Sequence, residues 1–77
     1  MVVADTVFLI SVKIRINGEE REIAEGLTVA QLLENLQIGA GRVVVELNRD
    51  IISREAHVAT ALKDGDSLEI VQFVGGG

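Results

Sequence analysis

The carboxylate of Gly77 is the group in this sequence best suited to chemistry, because it ends a run of three glycines at residues 75–77. Glycine has no side chain and its backbone adopts almost any conformation, so we expect this tail to be flexible. An extended chain covers about 3.3–3.6 Å per residue, so three residues reach about 10 Å. We therefore expect Gly75 and Gly76 to supply reach and Gly77 to supply a reactive acyl carbon.

Few other residues have side chains suited to catalysis or metal binding. The sequence has no cysteine, which excludes disulfides, thiolate catalysis and cysteine-based metal sites. Its one histidine, His57, excludes a multi-histidine site within the chain and belongs to no convincing set of nucleophile and carboxylate. Asp64 and Asp66 flank Gly65 in a pattern typical of a tight turn and far short of a calcium loop. We expect no catalytic residue, no metal and no cofactor.

The charge of the chain is acidic and thinly spread. Lysine and arginine number 7 against 12 acidic residues, which gives a net charge of −5, and no basic run occurs. Nucleic-acid binding therefore has little support. An acidic surface instead favours approach to basic surfaces of protein partners.

We expect the N-terminal segment to be neither a signal peptide nor a membrane span. Residues 1–10 lack the basic start of a secretion signal and include Asp5. No run approaches the roughly 18 apolar residues that cross a bilayer. We expect residues 1–6 to form a flexible leader, with no membrane association and a cytoplasmic location.

The elements that must position the tail are those of one small domain over residues 1–77. The hydrophobic fraction is 48%, drawn almost wholly from aliphatic residues, which suffices for a compact core. Residues 12–16 alternate apolar and basic as in a half-buried strand. Asn17 and Gly18 follow, a pair that favours a tight hairpin, and a return strand lies near residues 21–23. This register assigns three isoleucines to the core: Ile14, Ile16 and Ile23.

A helix is predicted to begin at Thr28. Thr28 can cap it, Gln31 stands at the position that closes a capping box, and Leu27 can pack onto Leu32. The apolar residues fall on one face at helical spacing, and they are Val29, Leu32, Leu33 and Leu36. We expect about ten residues of helix, ended by the small residues 39–41.

The second half of the chain predicts three more strands. Residues 43–47 are β-branched and short, residues 48–50 form a turn, and residues 51–52 form a very short strand. Ser53 is placed to cap a helical turn over residues 54–56, and residues 64–66 turn the chain into a last strand at 68–73. The order indicates an α+β fold, with a mixed sheet of four to five strands and the helix across one face.

The last strand presents different residues on its two faces. If Leu68 and Ile70 face the helix, alternation places Glu69, Val71 and Phe73 on the opposite face. An exposed pair of Val71 and Phe73 just before the tail predicts a docking surface for partner proteins. The alternative is that Phe73 covers a sheet edge and contributes to stability alone.

This order of elements, ending in glycines, resembles the ubiquitin-like β-grasp fold and, within it, the ThiS-type sulfur carriers of thiamine biosynthesis. The resemblance covers nearly the whole chain from Val12 onward. Its motifs lie at residues 16–19, 28–33, 46–52, 54–55, 64–66 and 69–77.

The resemblance implies a function for the terminal carboxylate. In this family a ThiF-like enzyme adenylates the last glycine with ATP, and the acyl adenylate becomes a thiocarboxylate with sulfur from a cysteine desulfurase. The sulfur then passes to a ThiG-like thiazole synthase. The chain would thus be a protein cosubstrate rather than an enzyme, monomeric when free, with its cargo on Gly77.

Two alternatives stay open. Small subunits of molybdopterin synthase and carriers of other pathways share the fold and the glycine end, so the chemistry could serve another product. A non-catalytic β-grasp interaction domain would instead have an inert tail. Removal of Gly77 distinguishes this last class, because it abolishes a carrier's activity and leaves an interaction domain's binding intact.

Overall fold

The computed structural model describes residues 10–39 and 42–73. The predicted leader at residues 1–6 and the tail at residues 75–77 lie outside them. Within the described residues the chain forms five strands, one α-helix and one turn of 3₁₀ helix. In chain order these are β1 (Ser11–Ile16), β2 (Glu19–Ala24), α1 (Val29–Asn35), β3 (Val43–Leu47), β4 (Asp50–Ile52), the 3₁₀ turn (Arg54–Ala56) and β5 (Ser67–Gln72).

The strands form one mixed sheet in the order β2-β1-β5-β3-β4. The last strand therefore occupies the centre. It runs parallel to β1, with Arg15 opposite Ser67, and antiparallel to β3, with Val45 opposite Ile70. The predicted α+β class and mixed sheet are confirmed, with five strands.

The turn of each hairpin contains an asparagine in the left-handed backbone region. In the β1–β2 turn Asn17 has φ 49° and Gly18 has φ 87°, the geometry that the Asn-Gly pair predicts. In the β3–β4 turn Asn48 has φ 51° and Arg49 has φ 77°. Asparagine tolerates this backbone region better than most residues, so each hairpin keeps a fixed register.

Helix α1 begins with the predicted capping box. The Thr28 hydroxyl accepts a hydrogen bond from the Gln31 amide at 3.1 Å, and the Gln31 side chain accepts one from the Thr28 amide at 2.9 Å. Two more first-turn amides are bonded by a distant loop, since Val29 donates to the Thr60 carbonyl and Ala30 to the His57 carbonyl. All of these donors would otherwise be unpaired, so the loop at residues 57–60 and the helix stabilise each other.

The helix is shorter than predicted, at seven residues. It ends because Gln37, with φ 61°, turns the chain into the left-handed region. The Ile38 amide then donates to the Leu33 carbonyl and the Gln37 amide to the Glu34 carbonyl, both at 2.9 Å. This is the Schellman arrangement, formed with glutamine where glycine is usual. The glycine-based end at residues 39–41 was wrong in position, and residues 40–41 lie outside the described residues.

One aliphatic core joins the helix to the inner face of the sheet. Ile14 and Ile16 lie in it as predicted, whereas Ile23 packs against its margin, half-buried, because β2 is an edge strand. Leu36 is likewise half-buried. The fully packed residues are Val12, Ile14, Ile16, Val29, Leu32, Leu33, Val45, Leu62, Leu68 and Ile70.

Thr28→Ala tests the capping box. We expect the free energy of unfolding to fall by about 1 kcal/mol, because the Gln31 amide loses its acceptor. Urea unfolding followed by circular dichroism measures the change. Ser53→Ala is the control: Ser53 precedes the 3₁₀ turn but makes no side-chain cap hydrogen bond, contrary to the sequence prediction. Ser53→Ala should lower the free energy of unfolding by no more than about 0.5 kcal/mol. Equal losses in Thr28→Ala and Ser53→Ala would contradict a stabilising role of the capping box.

Candidate functional site

The base of the tail is held at the centre of the sheet. Strand β5 ends at Gln72, one residue earlier than predicted, and the Phe73 amide still donates to the Arg42 carbonyl at 2.8 Å. Gly75, Gly76 and Gly77 lie outside the described residues, so their roles stay predictions. What the structure describes is the end of the central strand that precedes them in the sequence.

The two faces of β5 differ as the alternation predicts. Leu68 and Ile70 are buried against the core, with 1% and 8% of their surfaces exposed. Val71 and Phe73 are 49% and 54% exposed. The expected exposure is confirmed, and the docking role of the two residues stays a prediction.

The structure adds a third apolar residue to this surface. Val44 lies directly opposite Val71 in the β3–β5 register, where side chains on one face are about 4.5–5.5 Å apart. We call Val44, Val71 and Phe73 the outer patch. The sequence reasoning missed Val44, although the alternation in β3 signals it: Val45 is fully buried, so its neighbour faces outward.

Acidic residues border the outer patch. Glu46 and Glu69 are directly opposite each other in the same register. Each lies two residues along its strand from Val44 or Val71, and therefore on the same face. Like charges directly opposite each other repel, so this pair of glutamates does not stabilise the sheet. Both also line a polar hollow of about 440 Å³ with Arg49. The outer face therefore combines an apolar centre with negative charge, which suits a partner surface with basic residues.

His57 is a buried polar residue that lies away from the outer patch. Its side chain is 4% exposed, and its Nε2 atom has no hydrogen-bond partner in the described part of the chain. It lines a cavity of about 470 Å³ beside α1, with Leu33, Arg54 and Val58 among the other lining residues. Its carbonyl receives the Ala30 amide, so its backbone has a structural role. Among the residues that the structure describes, no nucleophile is hydrogen-bonded to Nε2 of the ring.

The two aspartates that could suggest a cation stabilise a turn instead. Asp64 accepts the Lys13 amide at 2.8 Å, and Asp66 accepts the Lys63 amide at 2.8 Å and the Asn48 side chain at 3.0 Å. Over residues 10–39 and 42–73, no three acidic, histidine or cysteine side chains form a group that could hold a metal. The same residues include no helix long and apolar enough to cross a bilayer.

A family model connects this architecture to known proteins. The model described as the ThiS family matches residues 14–77. Sulfur carrier protein ThiS from Bacillus subtilis is 44% identical over 50 residues, which are 65% of this chain and 76% of that protein. A thiazole synthase from Paramagnetospirillum magneticum is 45% identical over 65 residues, or 84% of this chain. The match covers only 20% of that synthase, so the chain spans about a fifth of its length.

Solved structures agree with the fold. The crystal structure of thiamine biosynthesis protein ThiS from Geobacter metallireducens superposes with a TM-score of 0.73 and 40% identity, over 86% of this chain and 100% of that one. An N-terminal ubiquitin-like domain, 18% identical, superposes with a TM-score of 0.54 over 100% of this chain and 95% of that one. The predicted ubiquitin-like β-grasp fold is confirmed.

His57→Leu tests whether the buried imidazole fills space without a hydrogen-bond partner at Nε2. Leucine has a similar volume and no polar atom to leave unpaired, so we expect the free energy of unfolding to rise by about 1 kcal/mol. Chemical denaturation measures it, and His57→Ala, which leaves a void, should be destabilised by about 2 kcal/mol or more. A loss of stability in His57→Leu would show instead that the ring has a partner.

Proposed function

The chain belongs to the ThiS family of sulfur carriers, and from this premise we propose that it holds sulfur on Gly77 as a thiocarboxylate. The sulfur serves thiazole formation in thiamine biosynthesis. The observation that supports this assignment best is the outer patch, an exposed apolar surface on the central strand directly before the glycine tail. Adenylation consumes ATP, so the proposal includes the cytoplasmic location that the sequence predicts.

The chemistry requires only an acyl carbon from this protein. A carboxylate is a poor electrophile, and transfer of AMP from ATP gives the Gly77 carboxyl a good leaving group, with release of pyrophosphate. A sulfur nucleophile then attacks the acyl carbon and AMP departs, so one carboxylate oxygen is replaced by sulfur. A ThiF-like enzyme performs the activation. A cysteine desulfurase supplies the sulfur as a persulfide, so the attack gives an acyl persulfide, and a thiol then reduces its S–S bond, forms a disulfide and leaves the thiocarboxylate on Gly77. The proposal requires Gly77 to be the last residue of the mature chain.

The body of the protein must compensate for the cost of ordering the tail. Fixing each flexible residue in an active site costs about 1–2 kcal/mol of conformational entropy. The outer patch can offset this cost because Phe73 and Val71 lie immediately before the tail and lose exposed apolar surface on docking. We assign the outer patch to docking with the adenylating enzyme and with a thiazole synthase.

A thiazole synthase as the recipient of sulfur has separate support. In the thiazole synthases from Paramagnetospirillum magneticum and Magnetococcus marinus, a segment similar to this chain makes up about a fifth of a longer polypeptide. A shared polypeptide keeps two modules at high effective concentration. We infer that this chain acts with the remaining, ThiG-like part of such proteins.

Intact mass spectrometry tests the chemistry. After incubation with ATP, the cognate adenylating enzyme and a sulfur donor, we expect the chain to gain about 16 Da, the difference between sulfur and oxygen. A variant lacking Gly77 is the control, and it should gain nothing because its tail is one residue too short. No gain in the complete chain with a proven cognate enzyme would contradict the proposal.

Alanine substitutions test the outer patch. Phe73→Ala and Val71→Ala should each raise the Kd for the adenylating enzyme, about 5- to 30-fold for phenylalanine and less for valine, through lost apolar burial. Isothermal titration calorimetry on the folded variants measures both. Val58→Ala is the matched control, since Val58 is 71% exposed but lines the cavity beside α1. Equal effects of Val71→Ala and Val58→Ala would rule out a specific docking surface.

A further inference from the structure

Strand β5 extends beyond the strand that pairs with one of its edges. The parallel pairing with β1 stops at Ile16 opposite Leu68, whereas the antiparallel pairing with β3 continues to Gln72. The last part of β5 therefore has a full strand on one side only. On the other side lies a groove of about 450 Å³, whose walls include Ile70, Gln72 and Ile38.

The side chain of Asn17 takes the place of the missing strand. Its Oδ1 accepts the Ile70 amide at 2.8 Å, and its Nδ2 donates to the Ile70 carbonyl at 3.2 Å. The Asn17 backbone amide also donates to the Leu68 carbonyl at 2.9 Å. A carboxamide has the same donor and acceptor as a peptide group, so Asn17 continues the hydrogen-bond ladder one step past the end of β1.

We propose that Asn17 is a positioning residue for sulfur transfer, which clamps the end of β5 and thereby fixes where the outer patch and the tail leave the body. The inference rests on the proposed function. Ile70 is 8% exposed, and the Asn17 side chain bonds both its amide and its carbonyl at the edge of the groove. Without the Asn17 side chain, water from the groove replaces those partners, and β3 alone holds the strand after Leu68.

A loose strand end affects transfer more than it affects the core. Val71 and Phe73 come one and three residues after Ile70, and the glycine tail begins at residue 75. Enzymes that accept the tail require its acyl carbon at a defined point, and small displacements of a reacting group reduce rates strongly. Asn17 thus acts on the reaction through the backbone of β5, without contact with the reacting atoms.

The chain contains a matched control at the opposite end of the same strand. Asn48 is also left-handed, its Oδ1 accepts the Ser67 amide at 3.0 Å, and its backbone amide donates to the Ser67 carbonyl at 2.7 Å. It therefore holds the start of β5, far from the tail, by similar bonds. Glycine suits the positive φ at both positions, so Asn17→Gly and Asn48→Gly remove the side chains and keep the turns.

Amide hydrogen exchange tests the clamp without any enzyme. By nuclear magnetic resonance, we expect the Ile70 amide to exchange at least about tenfold faster in Asn17→Gly than in Asn48→Gly, because only the first variant opens that end locally. Asn17→Asp is the second variant: it retains an acceptor for the Ile70 amide but places a carboxylate beside the Ile70 carbonyl. Equal Ile70 exchange in Asn17→Gly and Asn48→Gly would refute the clamp.

Steady-state kinetics with the cognate adenylating enzyme test the positioning. We expect kcat/KM for thiocarboxylate formation to fall about tenfold in Asn17→Gly and in Asn17→Asp, mostly through kcat because the acyl carbon is misplaced, and to stay within about twofold in Asn48→Gly. Equal kinetics in the folded variants would overturn the positioning role, even where exchange differs. If the unaltered chain gains no sulfur, the proposed function fails and the role in transfer fails with it, while the exchange measurement still decides the clamp.

Discussion

The two hydrogen-bond ladders that flank β5 are the interaction on which the rest of this structure depends. They join the first strand of the described chain to the last one and bring β3 into the same sheet. The helix, held by its capping box and by the loop at residues 57–60, then covers the inner face. A central strand is paired on both edges and is among the last parts of a sheet to open. The tail therefore follows the central strand, whose last residues have β3 on one edge and the Asn17 side chain at Ile70 on the other.

The two faces of strand β5 differ, since one belongs to the core and the other is an exposed surface. Leu68 and Ile70 belong to the core, while Glu69 and Val71 face outward, so substitutions on one face affect the other little. This separation lets a very small protein present an apolar surface without weakening its core. The surface costs little free energy because it is small and bordered by Glu46 and Glu69, which keep the outer face charged.

Local chemistry made much of this fold predictable. The Asn17-Gly18 hairpin, the Thr28–Gln31 capping box and the alternation in β5 depend on neighbouring residues, and all three are present. The helix end was missed because Gln37 adopts a conformation that glycine usually supplies. The second role of Asn17 was also missed, since its partner Ile70 lies 53 residues away and only the folded sheet brings them together. The role of the tail is predicted from the sequence and from the family alone, because residues 75–77 lie outside the described residues.

The central position of β5 also sets the order in which the protein can be made. Strands β1 and β3 leave the ribosome first, and each has an unpaired edge until β5 arrives to join them. Contacts between the two ends of a chain form slowly, because the loop between them must close first. The five-stranded sheet can therefore form only after the chain has been synthesised through Gln72. A nascent chain cut short before that point exposes the edges of β1 and β3, which make it a target of chaperones and proteases.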